Sequence, residues 1–430
     1  MQVFIKDIAQ HVGKEITIKG WLYNKRSSGP LSFLELRDGY GWIQGVAVKK
    51  GLSDEIWQKI ETVTQESSVE VVGIITEHPK KPGVFELQIK DLTILQLAKD
   101  YPISKKDHGP DFLMDNRHLW LRSSRQWAIL RVRDSVITAI NEYLHQANFI
   151  RVDSPVFTPN ACEGTTTLFG VEYFDEGTAY LSQSGQLYIE AAIASVGRCY
   201  DFGPVFRAEK SKTKRHLTEF WMMDAEAAFV EHDENLAIQE GLVRYVIRYC
   251  LEHCKNELAI LERDTEKLKQ ADAPFTRFTY DEAIKKLNEL GSDIKHGEDL
   301  GNDDEGLLTK DSAVPVFIEK WPESIKPFYM KKGPAGSGYV FNDDLIATDG
   351  GGEIAGGSQR EDDIVSLEKR IDAEGLNKAD YQWYLDLRRY GSAPHSGFGI
   401  GLERVVRWIT GVEHIRECIP FPRTIGRLKP

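Results

Sequence analysis

Three stretches of this sequence combine charged side chains with residues that let a ligand approach the backbone. The first covers residues 202–226, FGPVFRAEKSKTKRHLTEFWMMDAE, where Arg207 and Glu209 stand two residues apart behind an apolar run. In a strand these two side chains point to the same face. The second apolar run predicts a return strand with Phe220 and Asp224 on one face. Such a hairpin offers a guanidinium for phosphate or carboxylate, a ring for a nucleobase, and acids for an amine or a metal. An ordinary hairpin with surface ion pairs is the alternative.

The other two stretches are rich in glycine. In SGFGIGLERVVRWITG, residues 396–411, glycines lead into an amphipathic helix that contains Arg404. This pattern suits close approach by a phosphate, although the third glycine comes too early for a dinucleotide fingerprint. In NDDLIATDGGGEIAGGSQRED, residues 342–362, glycines alternate with acids and predict a loop-rich ligand site. Asp344 and Glu353 offer hard oxygen donors for Mg²⁺ held together with substrate phosphates. A solvated acidic loop is the alternative.

The elements that must position these groups fall into two kinds. Residues 15–95 contain five β-branched or aromatic runs separated by turn residues, with a helical segment after the third. This order predicts a small closed barrel of the OB type, with any other small β-barrel as the alternative. From Ile129 the apolar residues recur at helical spacing up to residue 147, and an extended segment with Pro155 follows.

Strand-like and helical segments then alternate to the end of the chain without a βαβ rhythm. The predicted fold class is therefore α+β, with an N-terminal OB-fold β-barrel and a catalytic domain on an antiparallel β-sheet flanked by helices. The expected boundaries are residues 1–97 for the barrel, 98–125 for a hinge and 126–430 for the catalytic domain.

Composition narrows the class of protein. The 430 residues carry a formal net charge of −12 and are 41% hydrophobic, enough for a sizeable core in two or three domains. The first 100 residues are electrically neutral, so the charge does not exclude RNA as a partner. No run approaches the roughly 18 apolar residues of a membrane span. The five cysteines form no CxxC pair, which favours a reducing, cytoplasmic location and no zinc site.

Together these motifs resemble a known family. FIRVDSP, FRAE with HLTEF, and GFGIGLER resemble, in this order, the three signature motifs of class II aminoacyl-tRNA synthetases. SGQLYIEAA, RHLTEFWM, GEIAGGSQRE and PFPRT are similar to asparaginyl-tRNA synthetases in particular, within the aspartyl/asparaginyl/lysyl subgroup. The resemblance extends over nearly the whole chain. It implies attachment of L-asparagine to tRNA(Asn) through an asparaginyl-adenylate, with ATP as co-substrate and Mg²⁺ as cofactor.

The resemblance implies ATP contacts for six residues, of which Arg207, Glu209 and Arg404 carry the catalysis. Arg207 bridges the α-phosphate and the substrate α-carboxylate, where a bidentate guanidinium stabilises developing charge. Phe220 stacks on adenine, and Arg404 covers its other face or holds the γ-phosphate. Glu353 and Asp344 hold Mg²⁺. The six residues are Arg207, Glu209, His216, Phe220, Glu353 and Arg404.

The resemblance also implies an amino-acid pocket. Glu163, in CEGTTTLF, holds the substrate ammonium from a mobile loop, and Gln186 supports the α-amino or α-carboxylate end. Arg360 reaches the side-chain carbonyl oxygen and Asp224 the side-chain amide nitrogen. Position 224 carries Asp where many asparaginyl enzymes carry Glu.

In the barrel, SFLELRD and WIQGV resemble strands that read an anticodon. Phe33 stacks on an anticodon base and Gln44 bonds to a base edge, as in proteins that read single-stranded RNA. Arg26 and Lys25 hold phosphates. The alternative is that Phe33 packs inside the barrel.

Three other assignments compete. An aspartyl-tRNA synthetase is the nearest, and Ile189 argues against it because aspartyl enzymes place a lysine at that point of the motif. An asparagine synthetase paralogue lacks the anticodon barrel that this chain carries. A catalytically inactive RNA-binding homologue would not need the arginines and acids of the three motifs. Finally, the apolar stripe of the helix at 129–147, which forms the two-fold interface in this family, predicts a homodimer.

Overall fold

The computed structural model describes residues 1–104, 106–163 and 167–430. It contains two compact units, residues 1–113 and residues 114–430. The division falls inside the segment expected to be a hinge, which also contains two short helices, α2 (Pro110–Asp115) and α3 (Arg117–Trp120), numbered after helix α1 of the first unit.

The first unit is a closed five-stranded barrel. Its elements are β1 (Glu15–Ser28), β2 (Leu31–Arg37), β3 (Trp42–Val48), α1 (Asp54–Thr62), β4 (Ser68–Glu77) and β5 (Phe85–Gln96). The strand order around the barrel is β1-β2-β3-β5-β4, with β3 and β5 parallel and the other described neighbours antiparallel. Alternate side chains of each strand are buried, as the period of two requires. The helix begins after Ser53, whose hydroxyl accepts a hydrogen bond from the backbone N–H of Ile56.

The second unit is a large α/β layer structure. Its helices are α4 (Ser124–Gln146), α5 (Gln186–Val196), α6 (His232–His253), α7 (Lys255–Ile260), α8 (Thr265–Ala271), α9 (Tyr280–Glu289), α10 (Asn302–Thr309), α11 (Ile364–Ala373), α12 (Gln382–Arg389) and α13 (Leu402–Thr410). Its strands are β6 (Ile150–Arg151), β7 (Phe157–Thr158), β8 (Gly170–Glu172), β9 (Thr178–Leu181), β10 (Arg198–Phe206), β11 (Glu219–Ala228), β12 (Thr276–Thr279), β13 (Val316–Glu319), β14 (Asn342–Ala347), β15 (Gly352–Gln359) and β16 (His395–Gly401).

Eight of these strands form one sheet in the order β12-β13-β14-β15-β16-β11-β10-β6. The six central strands are antiparallel to one another, and both edge strands, β12 and β6, pair in parallel with the strand beside them. The predicted antiparallel sheet is therefore a mixed sheet with an antiparallel centre. Strands β7, β9 and β8 form a separate small sheet.

The apolar stripe of the helix is buried inside the second unit, whereas the predicted dimer interface requires it at the surface. Helix α4 starts at Ser124, with Ser123 as its N-cap, and its stripe is buried inside the second unit. Ile129, Val132 and Val136 join a core cluster that also contains residues of α6 and α13. The stripe is therefore satisfied within one chain and does not itself indicate a second copy.

All five cysteine thiols are free and buried. They are Cys162, Cys199, Cys250, Cys254 and Cys418. Among the described residues, no helix has the length and apolar character that a membrane span requires.

Candidate active site

One cavity of about 390 Å³ in the second unit gathers every site residue that the sequence predicts for this unit. Its walls come mainly from the sheet strands β11, β14, β15 and β16 and from the segment after β10. The predicted residues that line it are Glu163, Gln186, Arg207, Glu209, His216, Phe220, Asp224, Asp344, Glu353, Arg360 and Arg404.

Arg207 lies just past the end of β10 and faces the ring of Phe220, with the guanidinium carbon 5.5 Å from the ring centroid. Its Nε is buried and finds no hydrogen-bond partner among the described residues. Burial opposes the charge, but Glu163, Glu209 and Glu353 raise the pKa of Arg207 above its ordinary value. Arg207 is therefore a cation that is held in place and still has donors for an anion. The sequence predicts a strand through Arg207 and Glu209, whereas β10 ends three residues before Glu209, at Phe206.

His216 and Glu209 lie beside each other on the loop between β10 and β11, with His216 Nε2 3.4 Å from Glu209 Oε2. On its other side, His216 Nδ1 lies 3.1 Å from the hydroxyl of Ser211. Burial, and then Arg404, lower the pKa of His216. A neutral imidazole at neutral pH can both donate and accept a hydrogen bond.

Arg404 and Glu353 form an ion pair at one end of the cavity. Arg404 Nη1 donates to Glu353 Oε2 and to the Glu353 carbonyl oxygen, each at 2.9 Å. Burial opposes ionisation, but Arg404 and Lys326 together hold the pKa of Glu353 below its ordinary value. Glu353 is thus an anion in the cavity, as its assigned role requires.

Lys326 is a cavity residue that the sequence motifs did not indicate. Its Nζ donates to Asp344 Oδ2 at 2.7 Å and lies 3.9 Å from the ring centroid of Trp321. Burial, opposed by Lys326 and reinforced by Glu353, raises the pKa of Asp344 to about 7. Lys326 lies in a segment without any of the three motifs, so only its place in the fold reveals its partner.

The donor set at this end suits Mg²⁺. A Cβ atom built at Gly356 would lie 3.5 Å from Asp344 Oδ1 and 3.6 Å from Glu353 Oε1, so both carboxylates border the same small space. Mg²⁺ is commonly bound by one or two carboxylates together with water and substrate phosphates. In the described part of the chain, no group of three or more His, Cys, Asp or Glu side chains is arranged to hold a metal. The remaining ligands would have to be phosphate oxygens and water.

The opposite end of the cavity holds the residues predicted for the amino acid. Asp224 Oδ2 accepts hydrogen bonds from the Ser184 hydroxyl and the Gly185 N–H, each at 2.9 Å. Burial raises the pKa of Asp224, although these two donors oppose the rise. Asp201 faces Asp224 across the strand pair, and burial followed by the charge of Asp224 raises the pKa of Asp201 to about 7.

Arg360 has a buried carboxylate partner that is Glu226, not Asp224. Its Nε and Nη2 donate to Glu226 at 2.9–3.2 Å, and its Nη1 donates to the Ser358 hydroxyl at 2.7 Å. Glu226 stands two residues after Asp224 on β11, so the alternation that selected Asp224 could also have selected it. Space for its carboxylate exists because position 397 is glycine, where a Cβ would overlap it.

Glu163 and Gln186 each have a protein partner. Tyr329 donates its hydroxyl to Glu163 Oε1 at 3.1 Å, and the Glu163 backbone N–H donates to Gln183 at 3.0 Å. Gln186 Nε2 donates to Glu190 at 3.0 Å. The predicted mobile loop includes residues 164–166, which lie outside the described residues.

Ile189 does not line the cavity. It packs in a cluster with Ile193 and Cys199. The side chain at position 189 therefore has no direct contact with the cavity in which the substrate is expected.

The barrel residues are separate from this cavity. Phe33 lies half-buried on β2, between the core residues of the barrel, so its ring faces outward. Arg26 lies over this ring at 4.8 Å and donates to Gln44 Oε1 at 3.0 Å. Lys25 instead donates to three backbone carbonyl oxygens at the end of α1, those of residues 60, 61 and 63. These bonds hold the Lys25 ammonium at the C-terminus of the helix, and its assignment to phosphate, which stays a prediction, would require it to leave them.

Comparison with known proteins identifies the family. A family model described as tRNA synthetases class II (D, K and N) matches residues 109–425. The chain belongs to the class II tRNA synthetases. In this synthetase a model described as an OB-fold nucleic acid binding domain matches residues 16–95. The fold class and the family expected from the motifs are confirmed.

Relatives of this synthetase cover it from end to end. An asparagine–tRNA ligase from Pelotomaculum thermopropionicum is 50% identical over 429 residues, with 100% of both chains covered. The crystal structure of an asparaginyl-tRNA synthetase from Pyrococcus horikoshii, complexed with asparaginyl-adenylate, superposes with a TM-score of 0.96, 41% identity and 100% of both chains. An asparaginyl-tRNA synthetase from Entamoeba histolytica has a TM-score of 0.87 and 33% identity over 100% of both chains.

Proposed function

We propose that this class II synthetase attaches L-asparagine to tRNA(Asn) in two steps, with ATP as co-substrate. The observation that supports it best is the position of Arg207, a half-buried side chain whose buried Nε is unpaired, between two differently built ends of one cavity. One end has the acids and Arg404 suited to ATP, and the other has Arg360 with Glu226. The full-length similarity to asparagine–tRNA ligases favours this function over an aspartyl enzyme or an asparagine synthetase paralogue.

In the first step an oxygen of the asparagine α-carboxylate attacks the α-phosphorus of ATP. A bond forms between them while the bond to the diphosphate leaving group breaks, and asparaginyl-adenylate remains. Arg207 donates to the α-phosphate and the carboxylate, and so reduces their repulsion as negative charge builds up. Phe220 supports the adenine ring, while Glu209, His216 and Arg404 contact the nucleotide.

Glu353 and Asp344 are the proposed Mg²⁺ ligands. When bound there, Mg²⁺ supplies charge neutralisation for the phosphates. The protein prepares this end by keeping Glu353 ionised beside Arg404 and Lys326.

The amino-acid end selects a neutral amide side chain. Glu163 receives the substrate ammonium, and Gln186 contacts the α-amino or α-carboxylate end. Arg360 donates to the side-chain carbonyl oxygen, and Asp224 accepts from the side-chain NH₂. A site built on such hydrogen bonds can reject a mismatched analogue by roughly 10⁴–10⁵, because buried polar groups lose their partners.

In the second step a hydroxyl of the terminal tRNA ribose attacks the adenylate carbonyl, and AMP leaves. We propose that residues 1–97 bind the anticodon, with Phe33, Gln44 and Arg26 as contacts on the outward face of the barrel. The half-buried ring of Phe33 leaves a face for a base. Residues 126–430 carry the chemistry, and residues 98–125 connect the two.

ATP–pyrophosphate exchange with asparagine and aspartate in parallel tests this function, followed by charging of tRNA(Asn). We expect asparagine to support exchange and aspartate to be nearly inert near neutral pH. Comparable exchange with aspartate would favour an aspartyl-tRNA synthetase. Exchange without any charged tRNA would instead favour the asparagine synthetase paralogue.

We further propose a homodimer in the cytoplasm. Because the α4 stripe is internal, the surface that favours a second copy is the adjoining segment, where Ile150 and Phe157 are about half exposed. Free, buried thiols fit a reducing compartment. Sedimentation should give a dimer at micromolar concentration, and Ile150→Asp should weaken it. A fully active monomer would contradict this proposal.

A further inference from the structure

A fully buried carboxylate lies behind the amino-acid end of the cavity. Glu190, on α5, does not line the cavity, and its side chain is 0% exposed. Its Oε1 accepts a hydrogen bond from Gln186 Nε2 at 3.0 Å. Its Oε2 lies 2.7 Å from the Tyr384 hydroxyl, 2.8 Å from Arg388 Nη2 and 3.1 Å from His395 Nε2. Three separate elements, α5, α12 and β16, therefore converge on one carboxylate.

This carboxylate is connected to two residues that line the amino-acid end of the cavity, Gln186 and Arg360. Gln186 stands four residues before Glu190, so both side chains share one face of α5. Arg360 Nε lies 3.9 Å from Glu190 Oε1, in addition to its hydrogen bonds with Glu226. Glu190 therefore acts on a bound amino acid indirectly, through its contacts with Gln186 and Arg360.

The charges of the two carboxylates and the two guanidinium groups in this cluster offset one another, and His395 adds a positive charge when both of its ring nitrogens donate, to Glu190 Oε2 and to the Ala393 carbonyl oxygen. Glu190 and Glu226 provide two negative charges, and Arg360 and Arg388 provide two positive charges. Although burial opposes ionisation, Arg388, His395 and Arg360 hold the pKa of Glu190 well below its usual range. His395 also borders this cluster, with its Nδ1 2.8 Å from the Ala393 carbonyl oxygen.

We propose that Glu190 is a positioning residue that determines amino-acid specificity without touching the substrate. Its carboxylate offsets the charge of Arg360 and orients Gln186, so that Arg360 acts at the cavity as a hydrogen-bond donor with much of its positive charge neutralised. The neutral amide of asparagine fits this arrangement. The carboxylate of aspartate would add a negative charge beside an arginine whose charge Glu190 and Glu226 already offset.

The size of this effect follows from burial. Charges separated by a few ångströms interact more strongly when they are shielded from water, and both Glu190 and Arg360 are buried. Removing the negative charge of Glu190 makes the cluster more positive by one charge than in the unmutated enzyme. This change favours binding of the negatively charged aspartate side chain. The proposal rests on the proposed asparagine activity, because it concerns discrimination within that reaction.

The test is Glu190→Gln, a change of charge at nearly constant shape. ATP–pyrophosphate exchange is measured over a range of asparagine and aspartate concentrations, and kcat/KM is compared for the two. We expect the preference for asparagine to fall on the order of tenfold or more. The change should come mainly from better use of aspartate, through a lower KM. An unchanged preference would overturn the proposal.

Two further variants separate charge from structure. Tyr384→Phe removes one hydrogen bond to Glu190 but no charge, and it should leave the preference unchanged. Glu190→Gln combined with Arg388→Gln restores the balance of charges and should restore the preference for asparagine. If Tyr384→Phe reduced the preference for asparagine as much as Glu190→Gln does, packing alone would be responsible. The proposal would then be wrong.

A variant with the opposite charge change keeps the test valid if Glu190→Gln does not fold. Arg388→Gln alone makes the cluster more negative by one charge, so the use of aspartate should fall below that of the unmutated enzyme. A rise in aspartate use would contradict the proposal. Failure of the underlying function is recognised separately, because the unmutated enzyme would then show no asparagine-dependent exchange.

Discussion

The substitution Arg207→Met should strongly lower the rate of adenylate formation and only slightly change the free energy of unfolding. The side chain has no ion-pair partner within 4.0 Å among the described residues, and its Nε is unpaired, so few native contacts are lost. The contact with the Phe220 ring contributes about 0.5–1 kcal/mol, and we expect the free energy of unfolding to change by about that much. Loss of the donors at the reacting phosphate should lower the rate of exchange by roughly 10²–10³, or about 2.7–4 kcal/mol of transition-state stabilisation.

A second arginine in the same unit serves as the matched control. Arg133 Nη1 donates to Glu403 Oε1 at 2.6 Å and to the Cys418 carbonyl oxygen at 2.9 Å, and Arg133 itself does not line the cavity, although Glu403 does. Arg133→Met leaves a buried carboxylate unpaired and should lower the free energy of unfolding by about 3–5 kcal/mol. Denaturant unfolding measures stability, and pyrophosphate exchange measures adenylate formation.

Comparison of the Arg207 and Arg133 variants distinguishes a catalytic role of Arg207 from a structural one. Arg207→Met should also leave tRNA binding largely intact, and Arg207→Lys should recover only part of the rate because an ammonium lacks the planar fork. Exchange by Arg207→Met within about threefold of the unmutated enzyme, far from the expected 10²–10³, would refute the role of Arg207. A loss of stability as large as that of Arg133→Met would show that the effect on rate is indirect.

Three other outcomes follow from the structure. Phe33→Ala should reduce tRNA charging far more than exchange; an equal loss of both would contradict the anticodon assignment. Burial raises the pKa of Asp201 to about 7 from an ordinary 3.8, so its contribution to stability is present below about pH 4 and is lost as the pH rises through 7. Asp201→Asn should therefore raise the free energy of unfolding by roughly 2–4 kcal/mol at pH 8 and hardly at pH 4, and a pH-independent effect would exclude this explanation. Gly397→Ala should displace Glu226, abolish asparagine-dependent exchange and cost about 1–3 kcal/mol of stability, whereas Gly203→Ala, whose Cβ meets no atom within 4 Å, should be tolerated.

The sequence predicted the residues of local motifs well, because each motif is also one structural piece. Arg207, Phe220 and Asp224 belong to one hairpin, and the period of two was enough to place Phe220 and Asp224 on a common face. The glycines near Arg404 predicted close approach. The structure adds a second reason for them, since Gly397 makes room for a carboxylate of the neighbouring strand.

Partners that meet only through the fold could not be predicted. Lys326 and Asp344 are 18 residues apart, and Glu190 and Arg388 are 198 residues apart. The pairing of Arg360 with Glu226 could not be predicted for a related reason, because Asp224 and Glu226 share one face of β11. Alternation gives the face of a strand, but the depth of a side chain depends on the residue across from it.

The internal stripe of α4 shows the same limitation. Apolar residues at helical spacing predict a buried face, and Ile129, Val132 and Val136 are indeed buried. The spacing cannot say whether the covering surface comes from the same chain or from a second one. Here the cover is intramolecular, so the pattern that suggested a dimer is explained without one.

The burial of every native thiol has a practical consequence for fluorescence work. Burial raises the pKa of Cys199 to about 12, and although a hydrogen bond with Cys250 lowers the pKa of Cys254 to about 7, Cys254 is only 1% exposed. A maleimide dye reacts with accessible thiolates, so the native chain should take up little label while folded. A single cysteine placed at exposed Ser28, at the end of β1, could then carry a reporter of tRNA binding without removal of any native cysteine.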